Sequence, residues 1–331
     1  MGKKYIPSCR LPQDGNCLEA MLSVAFLPAS AYNTPAMEVK ISETGKGIIF
    51  LILSAFCFAL MAVFVRLAGD IHFIQKAFFR NVVAFLLAAV SLGMDWRRDG
   101  RTAVSIPKGA FLFLLIRATA GSLGVFGNYY AIDRLVLSDA AILNKMSPFF
   151  AVVFSFLLLR EKIRPVPLVA ITVAFLGAML VVKPSFDFSQ TLPSLAGFAG
   201  GVGAGLAYAC VRKLGLMKCN GKIIILFFSA FSMLLSVPYM LLYFNPMTLE
   251  QTLLLCAAGA SAAGGQFAIT AAYYHAPAGR ISIYDYSQIV FSTLLGLVFF
   301  GQLPDLLSFI GYLIIIAMAL LNFIYNRRQL P

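Results

Sequence analysis

Two charged residues of the 331-residue chain sit where charge is costly: Lys145, about nine residues deep in the apolar run 135–159, and Asp285, in the run 280–301. An ammonium or carboxylate near a bilayer centre costs at least ~2.5 kcal/mol, so such groups face a partner or a water-filled cavity and mark binding sites or ion paths. At a helical rise of 1.5 Å per residue, Lys145 lies roughly 13 Å from the outer boundary, about twice what a lysine stem can reach. Stretching to the headgroups therefore struggles to satisfy it. Gln288 and Ser292 follow Asp285 at i+3 and i+7, and Asn144, Pro148, Ala151 and Ser155 form a matching stripe. These stripes are expected to face each other across a central, water-accessible cavity, with Lys145, Asp285, Asn144, Gln288 and Tyr286 as substrate-binding groups. The carbonyl that Pro148 leaves unpaired can be hydrated in a cavity and not by lipid.

Three further polar residues lie in apolar runs. Arg117 could line the cavity, anchor an acidic substrate or pack between helices; Gln266 and Tyr208 could form its wall. His275, beside Pro277, reads as an exposed loop residue. Glu161, between Arg160 and Lys162, reads as half of an ion pair at the membrane boundary. Other chemistries lack their residues. The six cysteines show no CxxC and no pairing with the two histidines, and Cys57, Cys210 and Cys256 read as small packing residues, so no disulfide, metal or cofactor is implied. No Gly-Lys-Ser/Thr phosphate loop indicates ATP use, and no DDxxD-like run or histidine pair supports a membrane-embedded enzyme.

The elements that must carry these residues follow from composition. At 60% hydrophobic, 12% charged and a mean hydropathy of +0.86, the chain is an integral membrane protein embedded in a lipid bilayer. Ten spans are expected near 47–68, 72–94, 109–131, 136–159, 165–183, 194–214, 222–244, 249–272, 280–301 and 305–326. Loops between them are too short for a soluble catalytic domain. With a cytoplasmic N-terminus, the cytoplasmic segments from Lys40 onward hold sixteen Lys and Arg against five outside. The positive-inside rule thus places both termini in the cytoplasm, and the net charge of +12 reports topology rather than a nucleic-acid partner.

Residues 1–45 read as a disordered extension, with Met37 a plausible natural start. The segment 19–31 has the small-x-small ending of a signal peptide but a core too short and interrupted by Pro28. Beyond it, the two halves repeat. "FLGAMLVV" at 175–182 matches "FIGYLIII" at 309–316, and "NKMSPFFAVVFSFLLLRE" at 144–161 lies over "DYSQIVFSTLLGLVFFGQ" at 285–302. The third and eighth spans share a small-residue run ending in Tyr-Tyr. Each half has an odd number of spans, so the halves cross the membrane in opposite senses as inverted repeats, 46–184 and 193–327.

At these residues the chain resembles the EamA-like branch of the drug/metabolite transporter superfamily. The resemblance is carried by Ser147-Pro148-Phe149 with Glu161 thirteen residues after the proline, by Gly177-Ala178, and by "FFRN" at 78–81. The second half departs from it, with Ile289 at the proline position and Gln302 at the glutamate position. The resemblance implies an all-α membrane protein of ten helices in two inverted halves that transports small metabolites. A secondary transporter for a polar or zwitterionic metabolite, such as an amino acid, is expected in the cytoplasmic membrane. A lipid or lipid-carrier flippase, or a carrier of a vitamin or nucleoside, stays open, as do import against export, ion coupling, and monomer against homodimer. In a chain with its native cysteines changed to serine, Asp99→Cys should be labelled only from the cytoplasm and Asp187→Cys only from outside; reversed labelling would overturn the orientation.

Overall fold

The computed structural model describes residues 42–100, 104–135, 137–162, 164–183, 191–301 and 303–328. The N-terminal extension expected from sequence lies outside them. The described residues are helical, with ten helices long and apolar enough to cross a membrane: Glu43–Leu67, Phe73–Arg98, Ala110–Ala131, Ala141–Leu159, Pro165–Val182, Thr191–Leu216, Gly221–Leu242, Leu249–His275, Ala278–Phe300 and Leu306–Arg327. The protein is therefore an all-α, multi-pass integral membrane protein.

Most boundaries fall within a few residues of those expected, and the departures have physical causes. The second helix continues past residue 94 through Asp95-Trp96-Arg97-Arg98. Charged residues end a membrane span without ending a helix, and Asp95 is fixed there by Lys222, 2.8 Å away. His275 is no exposed loop residue. It is the last residue of the eighth helix, partly buried, stacked at 5.9 Å on Phe50 and paired at 2.6 Å with Glu43. Cys57 and Cys210 are buried as expected, but Cys256 is exposed on the outer surface of its helix.

Small residues decide which helices meet. The third and sixth spans pack along their glycines so closely that a Cβ added at Gly127 would lie 2.4 Å from the Ala196 carbonyl oxygen, and one at Gly203 would lie 2.6 Å from that of Ala120. In a membrane such contact replaces the hydrophobic drive, because lipid tails are as apolar as leucine. The first span packs on the eighth in the same manner, and the fourth packs on the sixth as the ninth does on the first. Exchanging each span for the one five places along leaves this pattern of neighbours unchanged. The second and seventh spans are each other's neighbours, as are the fifth and tenth. Gly177 and Gly311, matched in the two halves, meet there: a Cβ on Gly311 would lie 2.5 Å from the Gly177 carbonyl oxygen. At one end of this pair of spans, Lys183 and the Ser308 donors hold the exposed Asp305 carboxyl down at about 2.

The third–sixth contact should tolerate no added bulk. Gly127→Val is expected to cost about 1–3 kcal/mol by overpacking. Gly93→Ala, in a helix with nothing within 4 Å of the added Cβ, should cost nothing. Thermal unfolding in detergent compares the two.

Candidate functional site

The fourth span is not one helix. It breaks into Leu137–Asn144 and Ser147–Leu159, and Lys145 and Met146 form the turn between them. Pro148 accounts for the break. It has no N–H to offer Asn144, and its ring disfavours regular helix just upstream. The Phe149 N–H then donates to Met146 in a tighter turn rather than to Lys145, so the Lys145 carbonyl is released. It is taken by the Tyr286 hydroxyl at 3.1 Å.

The ninth span breaks at the matching place without a proline. A short helix, Ala278–Ile281, passes into a 3₁₀ segment, Ser282–Tyr286, and then into Ser287–Phe300. The single regular helix expected here, carrying Asp285, Gln288 and Ser292 as one stripe, is thus not what forms. Ser292 is exposed on the outer surface, whereas Asp285 and Gln288 turn inward.

These two breaks bring Lys145 and Asp285 together. Lys145 Nζ donates to Asp285 Oδ2 at 2.9 Å, to Gln288 Oε1 at 2.7 Å and to the Asp285 carbonyl at 3.3 Å. All three ammonium protons have acceptors. Lys145 is 6% exposed, Asp285 5% and Tyr286 fully buried. The stripes were expected to face each other across a water-accessible cavity; instead the side chains touch and are closed off from solvent. A pair this buried holds together because each charge supplies the counter-ion that the interior otherwise lacks.

Among the described residues, none of the remaining candidates hydrogen-bonds to Lys145 or to the Asp285 side chain. Asn144 is partly buried beside the break. Arg117 is buried on the Phe228 ring, 4.0 Å from its centroid. Tyr208 stacks on Tyr273 at 5.0 Å. Gln266 is buried, and its Nε2 has no partner. Sequence reasoning missed Tyr273, whose hydroxyl lies 3.1 Å from Ser282 Oγ in the 3₁₀ segment. The Tyr-Tyr that ends the repeated small-residue run was the available signal. Glu161 does find a basic partner, though not a neighbour in sequence: it accepts from Arg212 Nε at 3.1 Å and from Ser155 Oγ at 2.6 Å. It borders a cavity of about 190 Å3 that Ser155, Arg164 and Arg280 also line, at the ends of the fourth, fifth and ninth spans.

Broken helices that meet at a buried charge pair, inside a bundle of two matched five-helix halves, are the architecture of a membrane transporter. The comparisons agree. The EamA-like transporter family matches residues 45–183. The chain is 31% identical over 273 residues to the pseudopaline exporter CntI of Pseudomonas aeruginosa, covering 82% of this chain and 93% of that protein. It is 27% identical over 320 residues to human solute carrier family 35 member G1, covering 92% and 85%. A crystal structure shares the fold with a TM-score of 0.74 at 15% identity, covering 86% of this chain and 99% of its own. The chain belongs to the EamA-like transporter family and is a membrane transporter of the drug/metabolite type.

The charge pair predicts its own energetics. Lys145→Met or Asp285→Asn alone should cost about 3–5 kcal/mol, since each strands the other charge in the interior. The double variant should recover most of that loss. Thermal unfolding of the purified chains measures this; additive losses would mean that the pair does not couple.

Proposed function

We propose that this chain is a secondary transporter that moves a small polar or zwitterionic metabolite, an amino acid or related compound, across the cytoplasmic membrane by alternating access. Both termini would be cytoplasmic, and the two repeats, 46–184 and 193–327, would be the moving halves. The observation that carries the reading is the closed Lys145–Asp285 pair at the breaks of the fourth and ninth spans. Opening a path between these spans parts the pair and leaves both charges in need of partners. A zwitterion supplies both at once. Its carboxylate takes the place of Asp285 on Lys145, and its ammonium takes the place of Lys145 on Asp285. The cost of parting the pair is then offset only when such a solute is present, which links opening to loading. Gln288 would follow Lys145, and the Tyr286 bond to the Lys145 carbonyl would hold the turn in shape. The likeness to a protein named an exporter favours outward movement.

The test is uptake or counterflow of labelled amino acids in proteoliposomes, with nucleosides and vitamins as comparison solutes. The double variant Lys145→Met/Asp285→Asn, which avoids stranding a charge, should insert normally and yet lose transport. Normal transport by it would sink the reading.

A further inference from the structure

Arg117 is not explained by a neutral charge pair. It is 2% exposed, and its Nε has no hydrogen-bond partner. Its guanidinium lies over the Phe228 ring, 4.0 Å from the centroid, in a cation–π contact. A ring face alone does not replace the counter-ion that a buried charge needs on leaving water. Unlike lysine, arginine keeps its proton, so the charge stays. No carboxylate among the described residues pairs with it or with the partly buried Arg80, whose guanidinium lies 6.0 Å from the Phe58 ring centroid. The other unpartnered buried nitrogen among the described residues, Gln266 Nε2, is also a donor. What these groups lack is an acceptor.

Arg117 and the charge pair share a neighbour in Tyr208. The fields of Asp285, Arg117 and Arg80 all act on Tyr208. Tyr208 stacks on Tyr273, and Tyr273 meets Ser282, three residues before Asp285. Lys145 and Asp285 cancel each other, so among the described residues the two guanidiniums give this interior a positive charge that no carboxylate pairs with.

We propose that Arg117 anchors an anionic group of the transported solute, which thus carries a carboxylate beyond the pair of charges matched by Lys145 and Asp285. This rests on the reading of the chain as a transporter loaded at that pair. The guanidinium fork offers two parallel donors to a carboxylate, a geometry that a lysine in its place would not reproduce. Acidic zwitterions are therefore preferred over their neutral amides.

The test uses the full chain purified in detergent, with aspartate, glutamate, 2-aminoadipate and 2-aminopimelate each set against its side-chain amide. At least one acid should raise the unfolding temperature while its amide does not. Arg117→Gln should weaken that acid roughly 10- to 100-fold, the loss of a charge-assisted bond, and Arg117→Lys should retain part of the affinity. Without ligand, Arg117→Gln should unfold no lower than the parent, because it removes an uncompensated charge; a clear fall would mark a packing residue and overturn the proposal. Stabilisation by no acid, equal stabilisation by acid and amide, or unchanged acid affinity in Arg117→Gln would also overturn it. Uptake of amides but not acids, lost in the Lys145→Met/Asp285→Asn double variant, removes the anchor and leaves transport at the charge pair standing. Acid binding that depends on Arg117, with uptake indifferent to that double variant, supports the anchor and removes the charge pair.

Discussion

An ion pair that neither water nor lipid can relieve sets the terms for the rest of this structure. Lys145 and Asp285 are each nearly fully buried, and each would be costly alone. Their 2.9 Å contact demands that the fourth and ninth spans approach side chain to side chain. It also demands that both helices be interrupted there, so that the Asp285 carbonyl and Gln288 can complete the lysine's three acceptors. The interruption costs helical hydrogen bonds. Tyr286 restores one by donating to the Lys145 carbonyl that the Pro148 turn releases.

Such an approach is possible only if the flanking helices are thin. The sixth span, which packs against both the third and the fourth, carries glycines at 197, 200, 201, 203 and 205. At Gly205 an added Cβ would lie 2.5 Å from the Phe150 Cβ, in the helix that follows the break. The glycine-rich composition of the bundle and the placement of the charge pair are therefore one constraint. Helices that touch through backbone leave room for the spans they support to meet.

The two halves reach a common design by different chemistry. The fourth span breaks through a proline, the ninth through a 3₁₀ segment with Ile289 at the proline position. The fourth ends on Arg160 in the left-handed region, at φ 55°, where the ninth ends on Gly301 at φ 63°. Arginine bears a penalty in that conformation that glycine does not. Glu161 beside it is held by Arg212 and Ser155. The halves share a backbone plan while their side chains have diverged, and Lys145 opposite Asp285, one register position apart, is the sharpest case.

The sequence by itself determined the class of the protein, the ten spans and the two charges inside them that the structure brings into contact. Each of these rests on transfer free energy or a covalent constraint, both of which act residue by residue. A charge in an apolar run is conspicuous whatever surrounds it, and Pro148 breaks its own helix in any context. Only the tertiary structure decided that Lys145 and Asp285 touch rather than face each other across water, that the ninth span breaks without a proline, and that Ser292 and Cys256 face outward. Only there, too, does Glu161 find Arg212, fifty-one residues along the chain, and His275 find Glu43. These outcomes depend on how closely helices distant in sequence pack. That distance is set by the sum of many small contacts, and no local pattern records it.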